Sequence, residues 1–349
     1  MTRLPVVVAI PARNEADHLG ACLAAIAAQP GAAARIAGVA IFANNCTDET
    51  AAVAAGAALP FPVTVNTADL PPDRAHIGHA RRAAHDAALA FMAANDLGDA
   101  IIASTDADSR VAPDWLAMLT AAFADGVDAV CGAIEIDGPV SPALARARAD
   151  EAAHADATAR TAAWLDPRPH NPAPNHIWCW GANLAVRAAV LTAVGGSPLV
   201  DLAEDRALHS ALLLHDAQVR HARSVRVLTS ARSRGRVPGG FADLLTRYAS
   251  DVGALADFWL EPAALTWARA ARRGAARRAW AALCGQEAGF GVHWAATETA
   301  EPALAARPVA LAELPAETAR LDHWLKVATG RCDNRQRETA RAAALPEPQ

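Results

Sequence analysis

Lysine occurs once in the 349 residues, at Lys326, so almost every strong base is an arginine and no arginine is marked as functional by type alone. Positive charge is not in excess either. Lys+Arg 32 against Asp+Glu 37 gives a net charge of −5, which excludes a generally basic nucleic-acid binder and leaves only local basic patches. The six cysteines (Cys22, Cys46, Cys131, Cys179, Cys284, Cys332) form no CxxC pair and no zinc-like cluster in sequence, a pattern that predicts reduced thiols and a cytoplasmic location. No apolar run approaches the ~20 residues needed to span a bilayer, so any membrane contact is expected to be peripheral. The opening MTRLPVVVAI runs into PARNE without a small-residue cleavage site and reads as a strand, not a signal peptide. Neither GxGxxG nor a glycine-rich phosphate loop follows that strand. This disfavours a dinucleotide oxidoreductase and a nucleotidyltransferase.

What is present is an alternation of short β-rich runs with helical stretches, the pattern of a mostly parallel sheet flanked by helices, an α/β class. Strands are predicted at Val6–Ile10, Val39–Phe42, Val63–Asn66, Ala100–Ser104, Ala129–Ile136 and Val225–Thr229. Helices are predicted over 16–28, 48–58, 76–94, 113–124, 141–165, 187–193 and 204–214. Four prolines between 167 and 174 mark a long loop that leads into the aromatic run Ile177–Trp180. Beyond Phe241 the pattern is helical, and Trp259, Trp267, Arg272, Arg273, Arg277, Arg278 and Trp280 suggest an amphipathic face for packing or for an anionic surface.

Five segments carry candidate chemistry. In Ile101–Val111, IIASTDADSRV, a strand ends in Asp106 and Asp108, and two carboxylates on one side of an extended chain can hold a hard divalent cation. A solvated turn is the competing reading. Pro11–Glu15 follows the first strand, where Arg13 can face phosphate and Glu15 a base or ribose; equally, the segment is a turn into a helix. Asn44 and Asn45 can read a nucleobase edge, or Thr47, Asp48 and Thr50 can simply cap the next helix. Trp178, Trp180, Gly181 and Asn183, with Glu204 and Asp205 beyond them, suit a sugar-like acceptor and its proton, or a core and a helix start. In RSRGRVPGG, Arg232, Arg234 and Arg236 can fold over a pyrophosphate or remain a solvated loop. His221 is a further candidate metal ligand.

The ordered set PARNE, NNCTDET, TDADS, WGAN and LAEDRAL resembles the family-2 nucleotide-sugar glycosyltransferases with the GT-A fold, over residues 4–240. The resemblance implies a transferase domain over 1–240, with a nucleotide-binding half at 1–136 and an acceptor half at 137–240, and a helical extension over 241–349. It implies transfer of a sugar from a nucleoside-diphosphate sugar to a small or diffusible hydroxyl acceptor, with inversion. Arg13, Glu15 and Asn45 would line the nucleoside site, Asp106 the ribose side, and Asp108 would bind Mn²⁺ or Mg²⁺. Asp205 would be the base, beside Glu204. Two positions depart from the pattern: Asn45 stands where many members have Asp, and Ala80-Arg81-Arg82 where many have Ala-Arg-Asn, which bears on base preference and on the diphosphate contacts of Arg81 and Arg82. The alternatives are a nucleotidyltransferase of similar fold and a catalytically degenerate binding module.

Overall fold

The computed structural model describes residues 4–124, 126–230, 246–248, 254–284 and 288–330. Its elements run β1 (Val6–Ala12), α1 (Ala16–Ala27), α2 (Ala32–Arg35), β2 (Ile36–Asn44), α3 (Thr50–Ala55), β3 (Val63–Ala68), α4 (Ile77–Ala94), β4 (Ile101–Ser104), β5 (Ser109–Val111) and α5 (Trp115–Ala122). They continue with β6 (Ala129–Asp137), α6 (Pro142–Leu165), β7 (Leu184–Arg187), α7 (Ala188–Ala193), α8 (Glu204–Leu214), β8 (Val219–Ser230), α9 (Ala263–Cys284), α10 (Phe290–Ala300) and α11 (Leu314–Gly330).

Contacts divide the chain into two units. The first comprises the described residues up to Pro139, Trp178–Leu213 and those from Ala217 onward to 230; the second takes Val140–Ile177, Leu214–Asp216 and the described residues from 246. The boundary expected at 240 leaves α6 with the sheet. The contacts instead group α6 with α9 and α11.

The first unit is built on one eight-stranded sheet in the order β3-β2-β1-β4-β7-β6-β8-β5. Parallel pairing joins β3 to β2, β2 to β1, β1 to β4 and β6 to β8, while β7 lies antiparallel between β4 and β6 and β5 antiparallel to β8. All seven residues of β1, VVVAIPA, are buried, because helices cover both faces of a central strand and leave it no polar side. Helix α1 buries Leu19, Cys22, Leu23 and Ile26, a stripe at helical spacing, against the core that also holds Trp115 and Leu116 of α5. The chain places β2 on one side of β1 and β4 on the other. Such a reversal of strand order opens a crevice at the carboxyl ends of the strands, where ligands of α/β sheets bind.

In the second unit, Leu165, Trp267, Leu321 and Leu325 share a core, and Asp166 pairs with Arg273 at 2.7 Å and with Arg277 at 2.8 Å. Arg277 also lies 4.0 Å over the ring of Phe290, and Arg272 pairs with Glu301 at 2.5 Å. Of the amphipathic face expected to pack or to meet an anionic surface, Trp267, Arg272, Arg273 and Arg277 are thus engaged inside this unit. Among the described residues, no helix is long and apolar enough to cross a membrane.

Candidate active site

The crevice is organised by a residue that sequence alone leaves ambiguous. Arg81, on the buried stripe of α4, is 3% exposed, and its Nε donates to Glu204 Oε1 at 2.8 Å. Its Nη1 donates to the Gly181 carbonyl at 2.9 Å and its Nη2 to Asp106 Oδ1 at 3.0 Å. One guanidinium therefore joins α4, the turn after β4, the 3₁₀ turn Gly181–Asn183 and the start of α8. Burial opposes its charge, but Asp106, Glu204 and Asp205 outweigh that and hold it firmly protonated. A Cβ at 181 would lie 2.5 Å from the Arg81 guanidinium carbon, so any larger residue there would displace that side chain. Arg81 is therefore fixed in an acidic cage. Arg82 has its Nε on Asp86 at 3.0 Å and its Nη1 on the carbonyls of Gly195 at 2.9 Å and Ser197 at 3.1 Å, so it ties α4 to a turn.

Asp205 is half-buried in the first turn of α8. Its Oδ2 accepts from the Gly181 N–H at 3.0 Å and its Oδ1 from the Arg206 N–H at 2.8 Å. Burial and the adjacent Glu204 charge push its carboxyl up to about 6, against the opposing pull of Arg81 and the two N–H donors. Immediately before Gly181, the rings of Trp178 and Trp180 stack with centroids 5.2 Å apart and planes at 24°. Asn183 plays a different part from the expected acceptor contact. Its Nδ2 donates to the carbonyls of Ala133 at 2.8 Å and Val225 at 2.9 Å, and its Oδ1 accepts from Trp115 Nε1 at 3.1 Å, so its amide is fully engaged in the core.

Asp106 and Asp108 stand on a turn, not on extended chain. The Ser109 N–H closes it on the Asp106 carbonyl at 3.0 Å and leads into β5. Both carboxylates are half-exposed, and behind them the buried Cys22 thiol is driven far above its ordinary value by burial and by the charges of Asp108 and Asp106. The two acids stand on one turn, Asp106 already paired with Arg81, and their carboxylate oxygens are the donor type that fits a hard divalent cation. His221 is not beside them. The register sets Ser109 opposite Thr229, whereas His221 lies opposite Cys131 near the other end of β8.

At the rim, Pro11 is buried within β1, and Arg13 is half-buried with its Nη1 on the Ala75 carbonyl at 3.3 Å. Glu15 is 5% exposed, and its N–H donates to Thr50 Oγ1 at 2.8 Å. Asp48 accepts from the N–H of Ala16 at 3.1 Å and of Thr50 at 3.1 Å, so one carboxylate serves the start of two helices. Asn44 is buried and donates to Asn45 Oδ1 at 3.1 Å. Asn45 donates to the Leu70 carbonyl at 2.8 Å and accepts its N–H at 3.2 Å, which engages the amide edge that sequence reasoning assigned to a nucleobase. Arg234 and Arg236, with the rest of RSRGRVPGG, lie outside the described residues.

One buried residue went unnoticed in sequence. His85, one turn beyond Arg81 on α4, sits with Nδ1 2.6 Å from Ser197 Oγ and Nε2 2.5 Å from Ser104 Oγ. Burial, then the charges of Arg81 and Arg82, lower it to about 3, so it stays neutral beneath the arginine. The i, i+4 spacing of Arg81 and His85 on an otherwise apolar stripe was the available signal.

The profile of Glycosyl transferase family 2 matches residues 7–187, just over half of the chain, and that of Glycosyl transferase family group 2 matches residues 101–306. The chain belongs to glycosyl transferase family 2. Among solved structures it is similar to mannosyltransferase PcManGT from Pyrobaculum calidifontis in complex with GDP-Man and Mn²⁺, at 17% identity and a TM-score of 0.49, covering 100% of this chain and 82% of that one. It is also similar to S. aureus TarS 1–349, at 13% identity and a TM-score of 0.45, covering 66% of this chain and 61% of that one. The chain therefore aligns with less than two thirds of TarS 1–349. No curated protein sequence matches it.

Proposed function

We propose that this protein transfers a sugar from a nucleoside-diphosphate sugar to an acceptor hydroxyl, with inversion, using Asp205 as the general base. The supporting observation is the half-buried Asp205 carboxylate, raised to about 6 and oriented by Gly181 and Arg206 within the Arg81 cage. A group titrating near neutrality is suited to accept a proton from a hydroxyl as its oxygen attacks the anomeric carbon. Each Asp205 oxygen keeps a lone pair beyond the N–H it already accepts.

Glu204 and Asp106, both bound to Arg81, fix the cage around that base. The stacked Trp178 and Trp180 offer apolar ring faces for the acceptor beside it. On the donor side, Arg13 and Glu15 stand at the end of β1 for the nucleoside. A divalent cation held by Asp108, with Asp106 beside it, would supply neutralisation of the charge gathering on the departing diphosphate. Mn²⁺ and Mg²⁺ both suit such oxygen donors.

Asp205→Asn removes the base while preserving the carbonyl oxygen that can accept from Gly181. Donor binding, read by thermal shift with nucleoside-diphosphate sugars and Mn²⁺, is expected to persist, while turnover falls by roughly 10²–10⁴-fold. An Asp205→Asn protein that transfers sugar at a near-normal rate would remove the assignment.

A further inference from the structure

Cysteines and histidines scattered through the sequence meet behind the active site. One row of the sheet runs Ser104, Leu184, Cys131, His221 across β4, β7, β6 and β8, and register partners place their side chains on one face. On that face lies α8, which contributes His209 one turn after Asp205. One ligand atom from each of Cys131, His209 and His221 lies within 4.8 Å of the others, and the two imidazoles meet edge to face with centroids 5.3 Å apart. Cys131 is fully buried, His209 is 6% exposed and His221 is half-buried. The buried Cys179 thiol lies against that of Cys131 and donates to the Asp205 carbonyl at 3.6 Å.

We propose that Cys131, His209 and His221 form a zinc site, separate from the Asp106–Asp108 pair, that anchors α8 to β6 and β8 beneath Asp205. Its donor set is one sulfur and two imidazole nitrogens, which suits zinc and is wrong for Mn²⁺ or Mg²⁺, both of which favour oxygen. In a tetrahedral shell with bonds of about 2.0–2.3 Å, ligand atoms stand roughly 3.4–3.8 Å apart. From the 4.8 Å within which these atoms lie, adjustments of about 1 Å bring the three ligands into such a shell, its fourth position being left to a water. Binding converts the Cys131 thiol to a thiolate and releases its proton to solvent, both imidazoles entering neutral. With Cys131 ionised, the single Cys179 proton turns from the Asp205 carbonyl to that sulfur, the supporting contact that metal ligands usually have. The site stands independently of the proposed sugar transfer, since it uses none of the donor or acceptor residues.

The test uses the full chain, stripped with a chelator and titrated with Zn²⁺ against a chromophoric competitor, then with Co²⁺ as a spectroscopic probe. One equivalent of Zn²⁺ is expected, with a sulfur-to-cobalt charge-transfer band in the Co²⁺ form. Cys131→Ser should abolish that band. Cys179→Ala, which removes the donor, should keep it and weaken Zn²⁺ by roughly 10–100-fold. Asp108→Ala should retain the bound Zn²⁺. Should Cys131→Ser fail to fold, the wild-type spectrum decides. Absence of a tight equivalent, a Co²⁺ form with no sulfur band, or loss of Zn²⁺ in Asp108→Ala would each overturn the proposal.

Discussion

Because burial and the Glu204 charge raise Asp205 to about 6, a reaction that uses it as a base gains rate as pH rises through that value. The expected pH–rate profile has an acidic limb with a midpoint near 6, absent from whatever activity Asp205→Asn retains. A profile flat from pH 5 to 8 in the unaltered protein would contradict the role. Stability runs the other way: a carboxyl raised above its unfolded value of 3.8 contributes most at low pH, and that contribution is lost as pH rises through about 6. At this position the fold tolerates the charge that the chemistry requires. The acids themselves were legible, since Asp106, Asp108, Glu204 and Asp205 are conspicuous at the ends of predicted elements. Their organiser was not, because Arg81 draws its meaning from three partners distant in sequence. Asn45 and Asn183 are ambiguous for a related reason: an amide looks the same in sequence whether it meets a ligand or a backbone, and in this structure both donate to backbone carbonyls.

Glycines within helices make the packing testable one element at a time. Gly78 lies in the first turn of α4, where a Cβ would stand 1.9 Å from the Val200 carbonyl oxygen. Helix propensity favours alanine over glycine by about 1 kcal/mol, whereas overpacking against backbone costs about 1–3 kcal/mol, so the clash prevails. Gly20, in α1, has nothing within 4 Å of the same added atom. Denaturant midpoints should therefore fall for Gly78→Ala and rise for Gly20→Ala; the same sign for both would refute this account of α4. Most elements were readable because they are long and periodic, and α8 matches its predicted range residue for residue. The omissions, α2, β5 and β7, span three or four residues, too few for any period to register. Missing β7 also hid the antiparallel crossing in mid-sheet, while the juxtaposition of Cys131 and His221 was hidden because the predicted last strand begins at Val225, beyond His221.

At the scale of the whole molecule, the second unit rests on a buried ionic centre. Burial opposes the Asp166 charge, but Arg273 and Arg277 prevail and hold its carboxyl below the ordinary value. That contribution is present above the unfolded value and lost as pH falls through the depressed one. Asp166→Asn, which leaves two arginines facing a neutral amide, should cost about 3–5 kcal/mol, read from urea unfolding. A loss under 1 kcal/mol would show the pair to be dispensable. The chain leaves the sheet unit after Pro139 and rejoins it at Trp178, so the intervening stretch is an excursion within the catalytic sequence. Shortening the protein to its first 240 residues would orphan α6, stripping Leu165 of Trp267 and Leu321 and baring an oily stripe to water. A minimal catalytic fragment would have to bridge Pro139 to Trp178 as well as trim the tail.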